Sequence, residues 1–323
     1  MATFKVTKGT PVAFRDSAYP TAYPSPYEGE LFYNSSSGAF QFVGLGAGSW
    51  ATGGNLNTGR KPDSGSDGIQ TAAIVAGGYS GAGVAVVEKY NGSTWTEVGD
   101  LNEARYAGAT FGTSSSAIHT GGHPYTGKTE SWDNSSWTEV GDLNTARREI
   151  GRAGASNTSG LVAGGYIATG YQAIVETWNG TSWTEVADLN TARSGLSGTG
   201  IVTAALVAAG DTPPRTVNTE VWNGSSWTEV NNLNTGRFYG ATTGLSSTDA
   251  LLFGGLAAPG VTANTESWNG TSWTELNNLA TARESIGGAG SGGSSALASG
   301  GNPITAATEE WSFAHPVKTI DVS

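Results

Sequence analysis

A closed all-β ring of six four-stranded sheets is the architecture this sequence predicts, on three observations. A unit of about 44 residues recurs along the chain, aromatic residues occupy two fixed places in each unit, and turn signals separate short strand-like runs within it.

The composition narrows the field first. The 323 residues include 49 Gly and 11 Trp, no Cys and only 13% charged residues; typical Gly usage is ~7%. The glycines lack a three-residue period, which excludes collagen, and the Trp content excludes a disordered linker. Without Cys there is no disulfide framework, thiolate metal site or Cys nucleophile. The formal charge is 16 minus 27, or −11, which argues against nucleic acid and anionic membrane surfaces as partners. MATFKVTKGT has no apolar secretory core and no run reaches the ~18 apolar residues of a membrane span, so a soluble chain without membrane insertion is expected.

The repeats are VEKYNGSTWTEVGDLNEAR, TESWDNSSWTEVGDLNTAR, VETWNGTSWTEVADLNTAR, TEVWNGSSWTEVNNLNTGR and TESWNGTSWTELNNLATAR. Trp50, Trp95, Trp137, Trp183, Trp227 and Trp273 are spaced by 45, 42, 46, 44 and 46 residues. Ten residues after each stands Arg60, Arg105, Arg147, Arg193, Arg237 or Arg283. A second series, Tyr90, Trp132, Trp178, Trp222, Trp268 and Trp311, keeps the same period, as does a Gly pair whose one variant is Ala209-Gly210.

Each unit reads as four strands. The first is Gly-rich, as in Tyr106 to Thr113, and the second is apolar and runs into the Gly pair, as in Asp249 to Gly255. The third carries TExW and the fourth SWTEV. Asn-Gly at Asn91, Asn179, Asn223 and Asn269 separates the last two, as a two-residue turn of positive φ requires, so they form a hairpin. A four-stranded unit of this length repeated around an axis is a β-propeller blade. Crowding near the axis explains the small residues of the first strand, and positive φ or tight packing explains the Gly pairs.

The Gly pair after an apolar strand, followed by an aromatic and then a Trp, resembles the kelch repeat over roughly residues 49 to 311. The near identity of the TExWNGTSWTEVxxLNTAR block resembles the kelch-like proteins of tailed, especially marine, bacteriophages. Closure follows from the two orphans of the aromatic series. Trp50 has no partner before it and Trp311 none after it, so the strand at about 49–56 is expected to complete a sixth blade begun at about 284–313. This stitches the ring and removes its open edges. The expected organisation is an arm with a hairpin over 1–48, a propeller over 49–313 and a C-terminal strand over 314–323.

No residue set demands chemistry. The six Arg recur beside Glu88, Glu130, Glu176, Glu220, Glu266 and Glu309, which assigns them to framework ion pairs. The Asn-x-Ser/Thr sequons at Asn91, Asn134, Asn179, Asn223 and Asn269 are what such turns produce. SWNGTSW resembles the Asp box of sialidases, but those enzymes need non-equivalent Arg, Tyr and acidic groups at one end of the axis. His119 and His123 lie four apart in a strand and loop, where that spacing does not align ligands. Asp63 to Gly68 is loosely calcium-loop-like but lacks the alternating ligands and closing Glu. No catalytic residue, metal site or cofactor is expected.

Function is therefore sought where repeats differ. The loops between second and third strands vary most, and they share a face with the blade-to-blade connections; the opposite face carries the uniform Asn-Gly turns. Tyr79, His123, Tyr125, Tyr166, Tyr171 and Arg215 are the candidate contacts in those loops, since exposed aromatics suit sugar stacking and protein hot spots. The arm contains Pro11, Pro20, Pro24, Pro26 and GELFYNSSSGAFQFVG, a string that resembles hairpins of phage tail and appendage proteins. VKTIDVS alternates like a strand and is expected to pair with FKVTKG. The expectation is a non-enzymatic virion protein, assembled in the host cytoplasm. It would be anchored to other virion proteins by its arm and present one face to a host-surface glycan or protein, as a tail fibre or appendage or as a head decoration. A propeller-type carbohydrate-active enzyme is the alternative. A trimer would suit an appendage, although no heptad pattern marks one.

Overall fold

A computed structural model describes residues 13–15, 31–34, 39–43, 47–212, 215–314 and 317–319. The chain divides into two units, one of residues 49–312 and one of residues 1–48 with 313–323.

The larger unit is a six-bladed β-propeller. In the second blade, Ala109–Thr113, Ser116–Thr120, Thr129–Trp132 and Trp137–Val140 form an antiparallel sheet from axis to rim. The same order repeats with inner strands Ser66–Ile69, Gly151–Ser156, Ser197–Ile201, Ala241–Ser246 and Gly287–Gly292. The last blade takes its outer strand from Ala47–Thr52, which lies beside Thr308–Ala314, so the ring closes by the N-terminal strand. No helix occurs among the described residues.

The turn between third and fourth strands differs from the two-residue form. Trp132 pairs with Trp137 across the sheet, as Tyr90 does with Trp95, leaving four residues in the turn. Asn91 Oδ1 accepts the N–H groups of Ser93 and Thr94 at 3.0 and 2.9 Å, and Gly92 takes φ +91°. The Asn side chain rather than a short loop makes the reversal. The two aromatics of each blade consequently face each other with ring centroids 4.9–5.4 Å apart.

The core is divided among the junctions. One cluster joins Ala153, Leu161 and Val175 of the third blade to Val207, Trp222 and Trp227 of the fourth, and the others repeat this scheme. Where Phe111 enters an inner strand, the next blade must yield. A Cβ at Gly160 would lie 2.1 Å from that ring, so only Gly fits there.

The repeated LNxxR segment rivets neighbouring blades. The carbonyl of Arg105 accepts the N–H of Gly78 in the first blade at 2.9 Å, while its guanidinium reaches Glu130 in the second at 2.6 Å. Glu130 also accepts the backbone and side-chain N–H groups of Asn102, both at 2.7 Å. All six Arg are buried and pair this way, with Glu88, Glu130, Glu176, Glu220, Glu266 and Glu309. Burial pulls the guanidinium pKa of Arg60, Arg147, Arg193, Arg237 and Arg283 down, opposed by the facing carboxylate.

The Trp series has a finer code. The outer-strand indole donates to a Thr hydroxyl that opens the third strand of the preceding blade: Trp183 to Thr129, Trp273 to Thr219, Trp95 to Thr308 and Trp50 to Thr265, at 2.9–3.2 Å. At the two remaining junctions that position is Val87 or Val175, and the indoles of Trp137 and Trp227 are buried without a partner.

The smaller unit is one sheet. Ala13–Arg15 runs parallel to Leu31–Asn34, which forms a hairpin with Ala39–Val43. Val317–Thr319 pairs with Ala39–Val43; the FKVTKG segment expected as its partner lies outside the described residues.

Candidate functional site

The alternating strands give the ring two unlike faces. Loops from second to third strands and the blade-to-blade connections share the loop face; the tight hairpin turns form the turn face. Each connection passes the axis just after its Arg, and there the chain adopts a conformation that L-residues avoid. Asp63, Ala107, Glu149, Gly195, Tyr239 and Ser285 all have φ between +53° and +58°, at a cost of about 1–2 kcal/mol for each non-Gly residue.

Hydrogen bonds around the mouth hold this ring. Each N–H donates to the carbonyl of the preceding member: Glu149 to Ala107, Gly195 to Glu149, Tyr239 to Gly195, Ser285 to Tyr239 and Asp63 to Ser285, at 2.8–3.1 Å. The Asp63 carboxylate accepts the sixth N–H, that of Ala107. The first connection is one residue longer than the others, which places a side chain where a carbonyl would stand. Gly195 is small by necessity, because a Cβ there would lie 3.0 Å from the Tyr239 ring.

Ring side chains meet at the mouth. Burial raises Asp63 to about 6, against the pull of the Ser285 hydroxyl. Tyr239 hydrogen-bonds to Glu149, and burial together with that carboxylate lifts its pKa well above the usual phenol value. Glu149 also accepts from Ser194 at 2.9 Å and pairs with Arg148 at 3.2 Å. Glu284 accepts from Asn302 through Oε1 at 2.8 Å, and its Oε2 is buried without a hydrogen-bond partner. With Lys61, Tyr79 and Tyr106 these groups line a cavity of about 320 Å³.

An arc of aromatic and cationic side chains surrounds it. Lys61 lies over Tyr79, which packs edge-on to Tyr106 at 5.1 Å, and His123 stacks on Tyr106 at 4.5 Å. Arg148 sits 5.1 Å from the Tyr125 ring and 5.6 Å from that of Tyr166. Tyr166 meets Tyr171, whose hydroxyl donates to Asp211 at 2.6 Å. That bond pushes the Tyr171 pKa up to about 12. Arg215 covers Phe238 at 4.9 Å. Tyr79, His123, Tyr125, Tyr166, Tyr171 and Arg215 thus belong to three contact groups along one face, whereas the repeated Trp and Arg lie in the frame.

The far end of the axis is built differently. Arg152, on the third inner strand, lies across the channel and donates to the carbonyls of Ser66, Thr110, Gly198 and Gly288 from four different blades. It closes the axis. Beyond it, towards the turn face, a cavity of about 280 Å³ is walled by Gly68, Gly112, Gly154, Gly200 and Gly244 and edged by exposed Ile69, Ile201 and Leu245. Asp67 lines this cavity, and burial raises its pKa to about 6. Asp63 and Asp67, read together as one loosely calcium-loop-like string, therefore serve opposite ends of the axis, because Ser66–Ile69 is a strand. Among the described residues no three His, Cys, Asp or Glu side chains form a group suited to a metal ion.

Sequence reasoning missed Glu149, Tyr239, Ser285 and Arg152, and grouped Asp63 with Asp67. A signal existed: the positions just after each repeated Arg are where repeat identity ends, and Arg152 is the one cation on the six small-residue inner strands. A scan of protein-family models and a search of curated proteins both return no match.

Proposed function

We propose that the chain is a non-enzymatic recognition protein of a tailed bacteriophage virion. It is a kelch-like propeller anchored through residues 1–48, its loop face meeting a host-surface glycan or a neighbouring virion protein. The observation that supports recognition is the inequality of the two faces. Five of the six blades carry near-identical hairpin turns on one side, while on the other all six bring together Tyr, His, Lys, Arg and carboxylates that follow no repeat. Binding surfaces concentrate on such loops when a rigid scaffold holds them. The phage assignment draws on the resemblance of the repeat block and of GELFYNSSSGAFQFVG. Mass spectrometry of purified particles tests it: the chain should be a virion component, and its absence from particles would overturn the proposal. Particle imaging then separates a tail appendage from a head decoration.

One observation favours a glycoside-cleaving enzyme as a second reading. A phenol bonded to a carboxylate, Tyr239 with Glu149, lies in the same mouth as Asp63, whose pKa stands near 6. A raised carboxyl can act as general acid, and a Tyr nucleophile occurs in some glycosidases. Turnover of fluorogenic glycosides that disappears in Asp63→Asn and Tyr239→Phe would establish this reading. No turnover across the panel would leave binding alone.

A further inference from the structure

We infer that the axial mouth of the loop face is a pocket for one neutral pyranose ring, the terminal or branch sugar of a larger glycan. This deepens the recognition reading and rests on it. The cavity of about 320 Å³ lies at the small end of the ~300–1,000 Å³ typical of ligand pockets, which suits one ring rather than an extended chain.

Its lining selects the chemistry. Tyr79, Tyr106 and Tyr239 offer ring surface of the kind that packs against the C–H faces of a sugar. Asp63, Glu149 and Glu284 offer acceptors, and an ionised carboxylate takes about four hydrogen bonds. Each already holds an internal partner: Asp63 has the Ser285 hydroxyl, Glu149 has Arg148 and Ser194, and Glu284 has Asn302. Two cations, Lys61 and Arg148, stand among these three acids, so the mouth lacks the concentrated charge that would reward desolvating an ionic ligand. A free ammonium would also compete with Lys61, which already covers the Tyr79 ring at 5.3 Å. What remains is spare acceptor capacity on the three carboxylates, of which Glu284 lines the cavity with one side-chain partner, Asn302. Hydroxyl donors on a neutral ring satisfy it without bringing a charge.

A second observation comes from the backbone. Five non-Gly residues are held left-handed around this opening, within one closed ring of hydrogen bonds. Strained conformations of this kind gather at ligand sites, where fixed positions matter. The ring holds the Asp63, Glu149 and Tyr239 side chains at positions set by six blades at once.

The test is saturation-transfer NMR on the full chain with galactose, glucose, mannose, rhamnose and N-acetylglucosamine, and with tetramethylammonium and acetate as charged comparisons. At least one neutral sugar should bind, and both charged probes should be weaker. Glu284→Gln should weaken that sugar tenfold or more with unchanged melting temperature, and Gly195→Ala, which displaces Tyr239 and puts an Ala at φ +58°, should weaken it as much with a lowered melting temperature. Thr181→Ala, in an exposed turn on the opposite face, should leave sugar binding within twofold. No sugar signal, tighter binding of tetramethylammonium, or indifference to both pocket variants would overturn the inference. Adhesion of the labelled protein to host cells separates this failure from failure of the recognition reading. Adhesion lost in a Tyr125→Ala, Tyr166→Ala double variant keeps the reading when the pocket fails, and adhesion unaffected by any loop-face change removes both.

Discussion

At all six blade junctions a buried Arg holds its neighbour through a Glu, and at five of them an Asn completes the acceptor shell, with Ala280 standing in the sixth. Around the loop-face mouth, six equivalent positions carry Asp, Ala, Glu, Gly, Tyr and Ser. Both regions are made by the same repeats and both are ringed by hydrogen bonds. The difference is what the side chains are asked to do: a junction needs the same contact six times, whereas a mouth on the axis sees all six side chains together and gains from unlike ones. Repetition therefore marks the frame, and its failure marks the site.

The contrast can be broken from the frame side first. Arg193→Ala leaves Glu220 buried and unpaired, and should cost about 3–5 kcal/mol in urea unfolding while leaving the loop-face side chains in place. Arg152→Met comes next. Four buried carbonyls lose their donor across the axis, so a loss of about 2–4 kcal/mol is expected.

A pH series sharpens the comparison between the two ends of the axis. The folded Asp67 carboxyl is raised to about 6, so its favourable contribution is complete below its ordinary pKa of about 4 and is lost as pH rises through 6. Asp67→Asn should therefore gain on the parent protein between pH 4 and pH 8, by up to about 3 kcal/mol, as unfolding measured at both pH values would show. Asp63→Asn should follow the same direction with a smaller gain, because the Asp63 carboxylate also closes the ring through the Ala107 N–H.

How much of this was legible follows from the kind of interaction involved. The blades, the closing strand and the framework aromatics could be read because each depends on local pattern and on a period that the eye can count. The ion pairs were half legible. Arg and Glu recur together, but the blade that receives each guanidinium depends on the three-dimensional register of neighbours. Arg152 could not be placed, since its partners are four backbone carbonyls that leave no trace in residue identity. Asp63 was misgrouped with Asp67, because proximity in sequence does not show that a strand carries the chain from one end of the axis to the other.

The junctions themselves contain a finer test. Val87→Thr and Val175→Thr add the hydroxyl that the other four junctions use, in nearly the same volume, for the unpartnered indoles of Trp137 and Trp227. Each should stabilise the fold by about 0.5–1.5 kcal/mol, read as a higher urea midpoint. The same changes made at Val86 or Ile174, which precede these positions, should give no such gain. On the loop face, Tyr125→Ala should alter stability by less than about 0.5 kcal/mol, since Tyr125 is 37% exposed.

Hydrogen exchange tests the division between frame and site most directly. The full chain would be measured alone and with whichever member of a panel of bacterial surface polysaccharides binds it. Protection is expected at the connections carrying Lys61 to Asp63 and Arg148 to Glu149 and in the loops around Tyr125 and Tyr166, with the turns at Asn91, Asn179, Asn223 and Asn269 unchanged. Protection confined to those turns, or a panel with no binder at all, would contradict that division.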